Sequence, residues 1–473
     1  MKFVLLSDLH YKSEGISKIP ERNSEFGLEF LKRVIRRIQD ERIDVIVICG
    51  DLIDDNKSNC AEKDYIEIKK VIQSLNGKKI LISPGNHDLE SDKFKNFFGE
   101  YKFCVLGDFL FYVFYDNYFE GEICKRNYQE IENFKKIIEE NPGKKIIVIQ
   151  HNLVYPKIES DYPFNILEPE KIHSFYKENN VFLSISGHYH KGLDLIKIDN
   201  IYYFTSSAIC EQPFKYFIFE IGEDIKIEEK ELKNTSEIVD YHCHTEFGYC
   251  AEDVSMEKVI KRCKIFGVKK VYFTEHAGQL YLSPDDYWNY RFFDNPEILR
   301  QQRENKKDRI NEYVEKFKSL NSDMAGLGLE VEVDKNGNLT LIEDDRNLFE
   351  ILVGSVHYLP DQWCLSKKET EKSFLWAVEK LVENKIDILA HPFRFFFRKN
   401  IETPKTLYNE VIKILKEGNV KAEVNFHHYY PETEFFKMCI EEDIGIVFGS
   451  DSHNLLEVGE FSKYIEFLKK LNL

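Results

Sequence analysis

Histidine placement is what most constrains this chain. Of its fourteen histidines, eleven lie inside short patterns of metal-ligand type, and those patterns fall into one set in each half. The first set is D-L-H at Asp8–His10, G-D at Gly50–Asp51, G-N-H-D at Gly85–Asp88, a lone His151, and G-H-Y-H at Gly187–His190. The second is H-C-H at His242–His244, E-H at Glu275–His276, G-L-E at Gly328–Glu330, S-V-H ending at His357, A-H-P around His391, and D-S-H at Asp451–His453. Only His173, His427 and His428 stand apart. Neutral imidazole is the commonest side-chain metal ligand. The pattern therefore points to two separate metal sites on one polypeptide.

A chain of 473 residues exceeds what one ordinary hydrophobic core supports, and two domains match the two motif sets. No stretch approaches the roughly 20 apolar residues of a membrane span, so no membrane partner is expected. The apolar start F-V-L-L is cut by Ser7 and Asp8 too early for a secretory signal. The ten cysteines have no paired spacing, so reduced thiols and a cytoplasmic location are expected. A formal charge of −17 counts against a nucleic-acid polymer as partner, because tracking its backbone needs basic surface. Bound cations reverse that sign locally, which leaves small phosphorylated substrates compatible. The sequence says nothing of oligomeric state.

Apolar runs alternate with amphipathic stretches in both halves. In the first, strands are predicted at Phe3–Leu6, Val45–Cys49, Ile80–Ile82, Ile146–Ile149, Phe182–Ile185, Leu193–Ile198, Tyr202–Thr205 and Phe217–Ile221, with helices near Ser24–Asp40 and Glu62–Leu75. The polar window Gly222–Glu237 reads as an edge strand plus linker, giving domains over 1–232 and 237–473. The second half offers seven strand candidates, near Val239–Tyr241, Lys270–Thr274, Gly328–Val333, Ile351–Val353, Ile386–Ala390, Lys421–Val424 and Ile446–Phe448, most followed by a helical stretch; this suggests a barrel. Its helices are predicted at Val254–Phe266, Lys367–Glu383, Pro404–Glu417 and Leu456–Leu471. The charged segment of about 282–322 reads as a helical insert forming a lid or rim.

Strand geometry is expected to aim Asp8 and His10 the same way, and likewise His188 and His190. Asp51 can bridge two cations, with Asn86, His151 and His188 completing the second position. His87 is then free to protonate a leaving oxygen, with Asp88 orienting its ring. In this order, D-x-H, G-D, G-N-H-D, H and G-H-x-H resemble the calcineurin-like metallophosphoesterase superfamily over about residues 1–232. The resemblance implies an α/β fold, a four-layer α/β/β/α sandwich. It also implies two transition metals of the manganese, iron, nickel or zinc kind: one held by Asp8, His10, Asp51 and His190, the other by Asp51, Asn86, His151 and His188.

In the second set His242 and His244 share a face, Cys243 between them reads as a packing thiol, Glu330 is placed to bridge, and Asp451 and His453 form another i, i+2 pair. D-Y-H-x-H, T-E-H-A, G-L-E, G-S-V-H, H-P and S-D-S-H resemble the polymerase and histidinol phosphatase (PHP) superfamily over about residues 237–473, nearest its histidinol phosphatase branch. That implies a distorted (β/α)7 barrel with two or three metals (zinc, manganese or iron). His242, His244, Glu330 and Asp451 would hold the first, and Glu330, His357 and His391 the second. A third would fall to His276, His453 and a position where this chain has Cys250. Two readings stand for it: thiolate ligation, or a weak or empty site.

Beside the motifs, Glu275 reads either as an orienter of a ligand or as a structural carboxylate. Arg394 and Arg398 either fork around a substrate phosphate or belong to a packed loop, and Arg291, Arg300 and Arg303 are weaker candidates. His427 and His428 read more readily as a solvated pair than as the mouth of a site. The leading expectation is a bifunctional metal-dependent phosphoesterase acting on small phosphorylated metabolites or nucleotides, with the two halves acting consecutively as a specific form. A nuclease on short strands, or one half serving as a non-catalytic regulatory module, are the alternatives.

Overall fold

The computed structural model describes residues 1–75, 77–235 and 237–472. The chain divides into two compact units, Met1–Lys233 and Asn234–Leu473.

The first unit is built on two face-to-face sheets. Strands Lys2–Leu6, Val45–Cys49 and Lys79–Ser83 run parallel, and Lys215–Ile221 and Ile225–Glu231 add antiparallel on the far side of the first. The second sheet has six strands. Phe109–Val113, Lys145–Ile149, Val181–Ser186 and Ile201–Thr205 are parallel neighbours, flanked by the antiparallel edges Phe103–Leu106 and Leu193–Ile198. Val45–Cys49 is wholly buried and reads V-I-V-I-C, the continuous apolar run of a parallel strand covered on both faces. Aromatic edges lock the sheets together: Phe3 meets Phe111 at 5.5 Å and Phe204 meets Phe217 at 5.0 Å between ring centroids. Helices Gly27–Arg37 and Ala61–Gln73 follow the first two parallel strands, and helices Tyr128–Glu140 and Pro169–Glu178 follow in the second half of the unit. These are the four layers expected. The predicted helix to Asp40 ends at Arg37. The strands Phe103–Leu106 and Phe109–Val113, around Gly107 at φ +53°, were not among those predicted.

The second unit is a closed barrel of seven parallel strands: Ile238–Cys243, Val268–His276, Ala325–Val331, Ile351–Gly354, Ile388–Leu389, Lys421–Val424 and Ile446–Phe448. It closes through the pairing of Asp240 with Phe448. Helix Met256–Phe266 begins at the Ser255 cap and ends at Gly267 with φ 73°, a left-handed stop that suits glycine. Helix Lys367–Glu383 is capped by Ser366. The last helix starts at Ser462 rather than near Leu456. The insert forms four short helices, Pro284–Trp288, Arg291–Asp294, Ile298–Glu304 and Ile310–Ser319, anchored by buried Tyr287, Phe292, Phe293 and Tyr313. Among the described residues, no helix is long and apolar enough to cross a membrane.

Candidate metal centres

Each site gathers where strands end, but not by strand alternation. The strands stop at Leu6, Ser186 and Phe448, before their ligands begin. The chain then turns through left-handed backbone at Asp8 (φ 57°), His10 (45°), Asp51 (48°), His188 (65°), His391 (28°) and Asp451 (52°). Such angles are unfavourable for side chains with a Cβ. The expected same-face geometry of Asp8 with His10 and His188 with His190 is therefore corrected, as is the placing of Asp451 and His453 on the last strand, which ends at Phe448: loops, not pleats, aim these groups. His242, His276 and Glu330 do lie inside their strands, with His244 just past the end of the first.

In the first unit the seven candidate ligands converge. Asp51 Oδ2 lies 3.5 Å from His10 Nε2 and 3.2 Å from His151 Nε2, between two histidine sets. Asp8 Oδ1 lies 3.5 Å from His190 Nε2 and 3.8 Å from His151 Nε2. His188 joins Asp51 and His151 in a tight ligand group. Outer contacts turn the rings inward: His151 Nδ1 donates to the Cys49 carbonyl at 3.0 Å and His190 Nδ1 pairs with Glu211 at 2.5 Å. The inward atoms are left bare. Asp8 Oδ1, both amide atoms of Asn86, His151 Nε2 and His188 Nε2 are buried without a hydrogen-bond partner. Such a cluster is costly unless cations complete it, and the donor set suits two of them. Burial, with His151 nearby, holds His188 down at about 3, a neutral lone-pair donor. At His190 burial is outweighed by Asp8 and Glu211, which lift it to about 9.

His87 sits at the cavity over this cluster, but its ring is not held by Asp88. Its Nδ1 donates to the Asp54 carbonyl at 2.8 Å. Asp88 is buried beneath, accepting from Leu52 N at 3.0 Å, Tyr65 Oη at 2.8 Å and Gly85 N at 2.8 Å. The expectation that Asp88 orients His87 is corrected: its oxygens are spent on bracing the two loops that carry Asp51 and Asn86. Three glycines permit that closeness. A Cβ on Gly50 would enter the His151 ring, one on Gly85 the Asp51 carboxylate, and one on Gly187 the side chains of Ser7 and Asp8.

The barrel repeats the logic with Glu330. Its Oε1 faces His357 Nε2 at 3.3 Å and His391 Nε2 at 3.2 Å, while Oε2 faces His242 Nε2 at 3.5 Å and His276 Nδ1 at 2.5 Å. Asp451 Oδ1 lies 2.9 Å from His244 Nε2 and 3.7 Å from His242 Nε2. His242 Nε2, buried and without a hydrogen-bond partner, marks the centre. Glu423 accepts from His242 Nδ1 at 2.8 Å and from His391 N at 2.7 Å, and Glu275 takes His244 Nδ1 at 3.0 Å. Glu275 is thus an orienter of His244 rather than of its neighbour His276. Burial raises Glu275, yet His244 and Thr245 outweigh it and hold the carboxyl at about 2.

His244, His276 and His453 form a third ligand group. Cys250 stands with it. Burial opposes ionisation, but His276 and His453 pull the thiol down to about 5, the range of a metal-binding or reactive thiolate. Cys243, by contrast, is fully buried in the hydrophobic core.

Above these groups opens a cavity of about 490 Å³ lined by Cys250, His276, Trp288, Arg394, Arg398 and His427 among others. Arg394 is buried, with Nη1 2.5 Å from Asp451 Oδ2 and Nε unpartnered, and Arg398 is exposed at the rim. His427 and His428 line the same cavity; His427 stacks on His453 at 4.7 Å and is partly buried, which corrects the solvated reading for it, while His428 is exposed. Arg291 and Arg303 are instead tied to Asp285, Asp286, Asp308 and Asp345. Glu423, Glu211, Asp54 and Arg22 were missed from sequence. Glu423 had a signal, an acid inside the apolar strand Lys421–Val424; the others carry none.

Two clusters of this kind define a metal-dependent phosphoric ester hydrolase. The calcineurin-like phosphoesterase model matches residues 1–192 and the PHP domain model residues 240–427. The chain is accordingly a calcineurin-like phosphoesterase domain followed by a PHP domain. Half of it is 25% identical to a probable phosphatase of Clostridium novyi, spanning 87% of that protein. A probable phosphatase of Acetivibrio thermocellus is 24% identical over 50% of this chain and 88% of its own length. Among solved structures, a dimetal phosphatase from Danio rerio aligns with TM-score 0.41 and 13% identity over 49% of this chain and 96% of that one. A Listeria monocytogenes protein provisionally assigned as a histidinol phosphatase aligns at 0.36 and 17%, over 48% and 99%.

Proposed function

We propose that both units hydrolyse small phosphorylated metabolites or nucleotides, the first as a phosphodiesterase or phosphatase and the second as a phosphomonoesterase. One observation carries the reading: each unit holds a buried carboxylate shared between two histidine sets, Asp51 in one and Glu330 in the other. Asp8, His10, Asp51 and His190 would hold one cation and Asp51, Asn86, His151 and His188 the next. His242, His244, Glu330 and Asp451, then Glu330, His357 and His391, would do so in the barrel, with Cys250, His276 and His453 taking a third. When bound, such cations polarise the phosphoryl group and make water nucleophilic near neutral pH.

The chain's own groups do the rest. His87, its Nδ1 proton fixed on the Asp54 carbonyl, presents Nε2 to protonate the leaving oxygen. Arg394 and Arg398 bind phosphate at the barrel mouth, while Trp288 gives that cavity an apolar wall. Ten cysteines with no disulfide among the described residues suit a cytoplasmic setting. In the consecutive form, the first unit opens a diester and the barrel removes the monoester left behind.

The test uses the full chain with Asp51→Asn or Glu330→Gln, metal analysis, and a panel of mono- and diesters. Each variant should lose one activity and keep the other. Loss of neither, or turnover confined to oligonucleotides, overturns the proposal. A monoester released by the first unit that the barrel refuses overturns the consecutive form alone.

A further inference from the structure

Arg22 lies outside every motif, yet its guanidinium reaches the first centre. The loop that carries it is pinned at both ends, by Lys12 N donating to the Ser24 carbonyl at 3.1 Å and Asn23 N donating to the Cys210 carbonyl at 2.9 Å. Its Nη1 stands 3.4 Å from His10 Nδ1, 3.5 Å from His87 Nε2 and 3.5 Å from Asp54 Oδ1. The side chain is 12% exposed, and its Nε is buried with no hydrogen-bond partner.

This guanidinium is under-bonded. Arginine carries five N–H donors, and the contacts described here all run through one nitrogen at the outer limit of hydrogen bonding. Two of the three are imidazole nitrogens. His87 Nε2 has a lone pair to offer only while unprotonated, and His10 Nδ1 bears the proton whenever Nε2 serves as a ligand. Asp54 is the single anion, and its Oδ1 also accepts from Ser17 Oγ at 3.2 Å. A charge held this deep without full pairing is costly, so the site is shaped for an anion that arrives later.

We infer that Arg22 grips the non-bridging oxygens of the phosphoryl group at the first centre, a reading that rests on this unit being a phosphoesterase. Position supports it. Arg22 lines the same cavity of about 360 Å³ as Asn86 and His87, with His10 against its other side. A phosphoryl group shared by the two ligand sets therefore lies within reach of the planar fork, which matches two phosphate oxygens. Asp54 ties the parts together: its carboxylate steadies Arg22 and its carbonyl holds His87. Substrate anchor and proton donor are thus set by one residue. Arg22 strengthens binding of the phosphoryl oxygens, and His87 remains the group that delivers the proton.

The experiment compares Arg22→Ala, Arg22→Gln and Arg22→Lys in the full chain carrying Glu330→Gln, so that only the first centre is intact. The metal-loaded proteins are titrated with inorganic phosphate by calorimetry, with metal content and Tm measured in parallel. Loss of charge-assisted hydrogen bonds predicts phosphate affinity weakened about ten- to a hundredfold in the Ala and Gln variants. Lys restores it only in part, and metal content is unchanged. Phosphate affinity within about threefold of the parent, in either neutral variant that retains its metals, overturns the inference, as does a parent that binds no phosphate. A parent that binds phosphate but hydrolyses no ester overturns the phosphoesterase reading and leaves the Arg22 grip standing.

Discussion

His87 Nδ1 lies 2.8 Å from the backbone oxygen of Asp54. A carbonyl can only accept, so the proton is on Nδ1 and the lone pair of neutral His87 is on Nε2. Replacing His87 by Ala should lower kcat about 10²- to 10⁴-fold for esters with poor leaving groups. The loss should shrink for p-nitrophenyl esters, whose leaving oxygen needs no proton. An equal loss across leaving groups, measured by steady-state kinetics, would remove His87 from that role.

Asp88 predicts a different phenotype. It accepts three buried donors, each costing about 1–3 kcal/mol when left unpaired. Asp88→Ala should therefore lower Tm and weaken metal retention. The dependence of rate on leaving group should stay as in the parent, read by steady-state kinetics on the same esters.

Stripping the metals should destabilise both units, because it leaves inward-facing buried atoms such as Asn86 Oδ1, His151 Nε2 and His242 Nε2 without hydrogen-bond partners. Calorimetry with and without a chelator checks this; stability unchanged by chelation contradicts both centres.

Metal affinity should rise with pH. In the metal-free protein His190 and His244 are lifted to about 9, against burial, by Asp8 and Glu211 in the first case and Glu275 and Asp451 in the second. A raised folded-state value means that the protonated rings add stability below about 6.5, which is lost as pH climbs through about 9. Cations must displace those protons. Apparent affinity should thus increase between about pH 6.5 and 9, with proton uptake by buffer visible in titrations run in buffers of differing ionisation enthalpy.

Cys250, pulled to about 5 by His276 and His453 against burial, should be the fastest of the ten thiols to alkylate at pH 6–7 without metal. Saturating zinc should protect it. Mass spectrometry of the modified sites decides, and equal labelling with and without zinc argues for an empty third position.

Most of the proposed ligands stand in short patterns that bring ligand types together whatever the backbone between them does; His151 and Cys250 do not. What could not be read is how they are aimed. Alternation along a strand predicts a shared face for Asp8 and His10, whereas both occupy left-handed turns beyond Leu6. Residues that act through the fold were equally hidden. Arg22 reaches His87 across 65 positions of sequence, and nothing near it signals the contact. Neighbourhood in sequence also misled at Asp88, which adjoins His87 but points its oxygens into Tyr65 and the backbone. The seven barrel strands were legible in number and order since each is a short apolar run. The Phe103–Val113 hairpin, apolar on both sides of a Gly107–Asp108 turn, carries a sequence signal of its own.

Gly50, Gly85 and Gly187 press bare backbone against His151, Asp51 and Asp8. Variation at the first centre is thereby channelled: a lineage or a mutant library can exchange one ligand type for another and retune metal preference, but it cannot decorate these three positions. Surviving diversity must enter from the rim, where loops such as the one bearing Arg22 decide which ester is admitted.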